Sequence, residues 1–315
     1  MAIKPFAVGV DLGGTNLRAA AVDDAGSILV SRSVPVGDRS AKAVIAEIAD
    51  MVRAIENELG MRPAVVGCGV PGIVDSERGV VYASPHFPQW RDEALRDSLA
   101  DEVKLPVAMD NDANCHALAE AMLGAGKGSR NVIMLTLGTG IGGGLVLDGK
   151  IFRGDCGFAG EVGHIVVEPE GEPCGCGGRG CLERYAASHA FPLHASRLPD
   201  PARDALAAQA GVPISKLTPE IVARLADDGN LNAIALWEDF GRYLGVGIAT
   251  LINVLGIMTF VVGGGIVRSW EHFIEETKKS ALSHTYARHA QYLQIKRAAL
   301  GHDAGVIGAA LLRAI

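Results

Sequence analysis

Four residues within eighteen positions, His164, Cys174, Cys176 and Cys181, have the types and spacing to hold one metal ion. Thiolate and imidazole donors select zinc over magnesium or calcium, and a Cys3His set closes a tetrahedral, structural site. Glycines at 175, 177, 178 and 180 let so short a loop wrap an ion. Free buried thiols are the alternative. Two carboxylates flank the cluster, Glu161 three residues before His164 and Glu183 two after Cys181. A metal-pinned loop would hold those acids at a fixed separation, suited to hydrogen bonding adjacent sugar hydroxyls; the competing reading is a pair of solvated surface acids.

A second group of residues suits phosphate. In Asp11-Leu-Gly13-Gly14-Thr15-Asn16 a glycine turn leaves backbone N–H groups free for an anion, and the threonine hydroxyl adds a donor. Asp11 would repel bare phosphate, so it makes sense beside a hydrated divalent cation. A tight hairpin with no ligand remains the alternative. Gly138-Thr139-Gly140-Ile141-Gly142-Gly143 formally satisfies a dinucleotide fingerprint, yet GLVLDGKIF after it reads as a strand, whereas that fingerprint opens a helix. No P-loop is present, because Gly126-Lys127 is followed by Gly128. Asp112, in Asp110-Asn111-Asp112, can accept a hydroxyl proton during phosphoryl transfer, with Asn111 orienting the same substrate. Asp112 also suits a helix N-cap, and Asp110 competes with it as base.

The elements that must position these groups follow from periodicity. Phe6 to Val36 reads as three strands joined by glycine turns. Ala41, Val44, Ile45, Ile48, Val52, Ile55 and Leu59 recur at helical spacing. AVVGCGVPG reads as a strand, and PVAMDND as a strand running into the helix ANCHALAEAMLGAG, with Asp112 at the junction. NVIMLTL, a glycine-threonine turn and GGGLVLDGKIF then repeat the opening style, which points to two related halves. Ala233 to Leu255 reads as a long apolar helix, FVVGGGIV as a strand into a glycine turn, and HDAGVIGAALLRAI as a closing helix.

With 315 residues the chain is long enough for about two domains. Its 49% hydrophobic and 21% charged residues are ordinary globular usage and exclude a disordered chain. Forty glycines favour an α/β architecture with close approaches of backbone. A net charge of −7 offers no broad basic face, so no nucleic-acid partner is expected and any phosphate is bound locally. The amino-terminal apolar stretch is cut at Asp11, which predicts no export signal, and Tyr243 to Met258 is too short and too polar at Asn253 to span a bilayer. A cytoplasmic protein with its six cysteines reduced is the expectation.

Taken in order, DLGGTN at 11–16, GVPGIVD at 69–75, DNDAN at 110–114, LGTGIGGG at 137–144, GEVGH at 160–164, CGCGGRGCLE at 174–183 and VVGGG at 261–265 resemble the ROK family of repressors, open reading frames and kinases. The likeness spans essentially the whole chain. It implies a two-domain actin-like ATPase fold, a duplicated ribonuclease H-like α/β architecture with an inter-domain cleft. One domain would comprise residues 1–111 plus 303–315, the other residues 112–302 with the zinc loop. It implies ATP-dependent phosphorylation of a hexose at its 6-hydroxyl, glucose foremost, with N-acetylmannosamine or N-acetylglucosamine as alternative substrates, polyphosphate as an alternative donor, and a sugar-responsive regulator as an alternative role. The repressors of this family carry a DNA-binding segment ahead of the DxGGT strand, and here ten residues precede Asp11. By the same resemblance Asp112 is the general base, and Gly72, Asn111, Glu161, His164 and Glu183 are sugar ligands. Asp11, Gly13, Gly14, Thr15, Asn16, Thr139, Gly140, Gly263, Gly264 and Gly265 face the nucleotide and Mg2+, and His164 serves both zinc and sugar. A homodimer or homotetramer is expected.

Overall fold

The computed structural model describes residues 5–312, so residues 1–4 and 313–315 of the expected domains, and the end of the closing helix, lie outside the described part. The meander predicted from the opening residues is present: β1 (Phe6–Leu12), β2 (Asn16–Asp23) and β3 (Ile28–Pro35) pair antiparallel in sequence. Then come α1 (Ala41–Leu59), β4 (Val66–Val70), a small hairpin β5 (Ile73–Asp75) and β6 (Val80–Ala83), α2 (Leu95–Val103), β7 (Val107–Asn111) and α3 (Asp112–Met122). A second meander-like run follows in β8 (Val132–Leu137), β9 (Ile141–Leu147) and β10 (Lys150–Phe152). That β9 is a strand removes the dinucleotide reading of its glycines. The remainder is α4 (Glu183–Ala186), α5 (Ala190–Ser196), α6 (Asp200–Ala210), α7 (Pro219–Asp227), α8 (Leu231–Leu255), β11 (Thr259–Gly263), α9 (Trp270–Ser283), β12 (Gln294–Arg297) and α10 (Ala304–Leu311).

The two five-stranded sheets have the same order, third-second-first-fourth-fifth: β3-β2-β1-β4-β7 and β10-β9-β8-β11-β12. This is the structural form of the repetition seen in the sequence. β4 runs parallel to both β1 and β7, and β11 parallel to β12.

Strand alternation sorts β1 between two layers. Phe6, Val8, Val10 and Leu12 enter one core with Val44, Ile48, Val52 and Ile55 of α1, while Ala7 joins α10 in another. Each of those α1 side chains contributes roughly 1.5–3 kcal/mol by leaving water. Ser40 caps α1 by accepting from the Ala43 N–H at 3.3 Å, worth about 1 kcal/mol. On the other face the α10 backbone lies directly on the sheet: a Cβ at Gly9 would stand 1.8 Å from the Val306 carbonyl oxygen, and one at Gly67 1.8 Å from that of Ala309. Only glycine permits that approach.

Contacts divide the chain into two compact units, residues 1–134, 144–160 and 298–315, and residues 135–143 and 161–297. This differs from the sequence division at residue 112. Cys115 and Leu118 of α3, Ile151 of β10 and Ala309 of α10 share one core, which keeps α3 and the 144–160 segment with the first unit. In the second unit Phe191 of α5 packs against Trp237 and Phe240 of α8, fixing the segment before it.

Candidate functional site

The first glycine turn closes the β1–β2 hairpin. The Gly13 N–H donates to the Asn16 carbonyl at 2.9 Å, and the antiparallel register sets Asp11 opposite Arg18. A cavity of about 270 Å³ is lined by Asp11, Gly13, Gly14, Thr15, Asn16, Arg18 and His302. Sequence reasoning missed Arg18 and His302, although Arg18 lies two residues beyond Asn16 and so shares its face of β2. The Arg18 guanidinium donates to the Asp303 carboxylate at 2.8 Å and to the His302 carbonyl, which fixes a cation beside the turn.

The Asp110-Asn111-Asp112 run is resolved by its partners. Asp110 is 2% exposed and is consumed by Arg153 at 2.6 Å and by the Asn114 amide at 2.8 Å. Asn111, not Asp112, is the N-cap of α3: its Oδ1 accepts from the Ala113 N–H at 2.8 Å, and its Nδ2 donates to the Gly72 carbonyl at 3.0 Å. Asp112 is therefore the first helical residue, its Oδ1 accepting only from the Ala113 N–H among the described residues. Burial pushes its carboxyl above the ordinary range; Asp11 acts in the same direction, and His116 and His86 oppose it.

In the second unit the four metal-ligand candidates converge, their donor atoms all within 4.8 Å of one another. The Cys174 Sγ stands 3.7 Å from the His164 Nδ1, and the Cys176 Sγ 3.7 Å from the Cys181 Sγ. A tetrahedron with bonds of about 2.3 Å to sulfur has edges of about 3.8 Å, so the donors fit zinc in spacing as well as in chemistry. The other ring nitrogen of His164 lies 3.8 Å from the Glu161 carboxylate. Imidazole and Glu161 thus meet on the side away from the thiols.

Glu183 opens α4, and its Oε2 accepts from the Ile141 N–H at 2.9 Å, at the second glycine turn. A Cβ at Gly140 would lie 2.3 Å from that oxygen, so a larger residue there would displace the Glu183 carboxylate from the turn. The turn is held further by the Ser188 N–H on the Gly138 carbonyl at 2.9 Å and by the His189 Nδ1 at 3.1 Å from the Thr139 carbonyl. Neither Ser188 nor His189 was singled out from sequence. The third turn, Gly263-Gly264-Gly265, follows β11; Gly264, with φ of 89°, stands where a Cβ would be 2.2 Å from the Leu137 carbonyl at the end of β8.

Two sheets of identical order, each opening on a hairpin with a Gly-Thr turn, define an actin-like ATPase fold. The chain belongs to the ROK family, which matches residues 7–314. It is 36% identical over 306 residues to a glucokinase of Halalkalibacterium halodurans, covering 96% of this chain and 92% of that one. It superposes on the crystal structure of a ROK hexokinase from Thermus thermophilus with a TM-score of 0.81 at 35% identity, covering 98% and 97% of the two chains. A ROK family glucokinase from Streptomyces griseus, crystallised with glucose and AMPPNP, gives a TM-score of 0.77 at 34% identity, covering 98% of each.

Proposed function

We propose that this protein is a hexokinase-type phosphotransferase that moves the terminal phosphoryl group of ATP to the 6-hydroxyl of a hexose, glucose in the first place. The observation that carries this reading is Asp112: a half-buried carboxyl that accepts only from the Ala113 N–H among the described residues, beside Asp110, whose carboxylate is already engaged by Arg153 and Asn114. The glucokinase and hexokinase relatives support the same chemistry.

The transferring group carries its charge on equatorial oxygens, so positioned amides and cations act on it more than the base does. Thr15 with the Gly13–Gly14 turn, and Thr139 with Gly140, offer amide and hydroxyl donors to phosphate, with Arg18 as the nearby cation. Asp11, on the wall of the first cavity, would hold a hydrated magnesium ion, which would supply positive charge against the phosphates. Asp112 takes the proton from the attacking hydroxyl oxygen. Asn111, Gly72, Glu161, His164 and Glu183 bind the sugar. His164, Cys174, Cys176 and Cys181 would hold zinc, which would fix the imidazole tautomer and leave the nitrogen near Glu161 for a hydroxyl. None of the six cysteines forms a disulfide, in keeping with a cytoplasmic enzyme, and the family resemblance supports a homodimer or homotetramer.

ADP release is to be measured with glucose, mannose, N-acetylglucosamine and N-acetylmannosamine, each with ATP and with polyphosphate. Glucose with ATP should give the highest kcat/KM. A preference for either N-acetylated sugar overturns the substrate assignment, and no sugar-dependent ADP release overturns the kinase assignment.

A further inference from the structure

Every peptide group of the second glycine turn is pinned from one side by a single short segment that starts two residues after the last metal-ligand candidate. Ser188 holds the Gly138 carbonyl, His189 holds the Thr139 carbonyl, and Glu183 holds the Ile141 N–H. The remaining carbonyl, of Gly140, accepts from the Gly138 N–H at 3.0 Å within the turn. A trans peptide is planar, and its C=O and N–H point in opposite directions. Fixing the Gly138 carbonyl therefore aims the Thr139 N–H the other way, and fixing the Thr139 carbonyl aims the Gly140 N–H. Those two amides have no protein acceptor among the described residues. Glycine-rich backbone is otherwise free to rotate such amides away.

We infer that Glu183 and His189 are positioning residues for the nucleotide phosphates, aiming the Thr139 and Gly140 amides by holding the turn from behind and tying it to the metal loop. The inference rests on the kinase reading above and adds to Glu183 a role besides sugar binding. The chemistry of the two holders suits it. Burial and the Arg184 charge keep the His189 imidazole below its ordinary pKa, hence neutral near pH 7, and a carbonyl partner requires that Nδ1 carry its proton. Glu183 uses one carboxylate oxygen on the turn, and the other accepts no hydrogen bond among the described residues, leaving it for a sugar hydroxyl. The holders are themselves anchored: Tyr185 stacks on Tyr243 and accepts from the Glu172 N–H at 2.7 Å, and the Leu182 N–H donates to the Ile165 carbonyl at 2.8 Å.

The test compares Glu183→Ala with Glu183→Gln, and His189→Ala with His189→Asn, since Gln and Asn restore the hydrogen bond to the turn. Readouts are the KM for ATP at saturating glucose, the KM for glucose at saturating ATP, the Kd of AMPPNP without sugar, and Tm. Both alanine variants should raise the ATP KM and the AMPPNP Kd about tenfold, as loss of an orienting partner does elsewhere. Both amide variants should return them to within about threefold of the unsubstituted protein, while Glu183→Gln still raises the glucose KM. Alanine variants that change only the glucose KM, or only Tm, overturn the inference while leaving the kinase reading intact. If Glu183→Ala fails to fold, the His189 pair decides. An unsubstituted protein that binds no AMPPNP and releases no ADP overturns the kinase reading and this inference with it.

Discussion

The two Gly-Thr turns occupy equivalent positions in two sheets of the same order, yet they are held in different ways. The first is closed by its own hairpin bond from Gly13 to Asn16, with the Arg39 guanidinium on the Gly14 carbonyl and the Val36 N–H on the Thr15 carbonyl, and charged side chains surround it: Asp11, Arg18, Arg39 and Asp303. The second carries no charged group of its own and takes its shape from a segment more than forty residues later in sequence, the contact between Ile141 and Glu183 spanning 42 positions. One turn is held from nearby in sequence, by the residue that follows β3 and by a guanidinium, among charged side chains; the other is braced from far along the chain. Substitutions near the first should therefore act on charge and proton transfer, whereas substitutions far from the second should reach it through the brace.

The largest effect belongs to the charged side. Asp112→Asn removes the proton acceptor while preserving size and the hydrogen bond to the Ala113 N–H, so kcat should fall between about 10²- and 10⁴-fold with the glucose Kd within about threefold. Steady-state kinetics and calorimetry check this, and an unchanged kcat removes Asp112 from the base role.

Next in size is the metal loop behind the braced turn. Cys176→Ser should lose zinc, by metal analysis, and lower Tm by about 10 °C, at roughly 2–4 °C per kcal/mol for a chain of this size. In the surviving fold the ATP KM should rise together with the glucose KM, because the loop leads into both the Glu183 contact with the turn and the His164–Glu161 pair. A rise confined to glucose would uncouple loop and turn.

Arg18→Ala tests the opposite case. It removes the cation that lines the cavity beside the first turn and should raise the ATP KM about tenfold, the equivalent of a charge-assisted hydrogen bond of roughly 1.5 kcal/mol. Zinc content and glucose KM should stay as they were, since Arg18 and its partner Asp303 belong to the first unit.

The difference between the turns also explains what was legible in the sequence. The hairpin, its Asp11 and its Gly-Thr turn are local, so strand periodicity and turn chemistry exposed them. The metal set was equally plain, because thiols two and five residues apart have few other uses. Arg18 could have been found by extending the alternation of β2 two residues past Asn16. His189 and Ser188 could not: their role depends on α5 being seated by Phe191 against Trp237 and Phe240, a packing with no local signature. The exchange of roles between Asn111 and Asp112 was likewise hidden, since both residue types cap helices and only the position of the first turn of α3 decides.

Acidity separates the two turns with the smallest perturbation. Burial and the neighbouring Asp11 carboxylate hold Asp112 above the ordinary aspartate value of about 3.9, so the acid limb of kcat/KM should lie above that value, with the rate rising as Asp112 loses its proton. His116 opposes these effects and favours the charged form of Asp112. His116→Asn should therefore move the limb to higher pH, a shift of less than about one unit in view of the opposing burial. His189→Asn should leave the limb where it is: protonating His189 adds a proton at Nε2 and keeps the Nδ1 donor on the Thr139 carbonyl, so the braced turn does not respond to acid as the charged one does. A limb that moves with His189 and not with His116 would reverse the assignment of charge to the first turn and brace to the second.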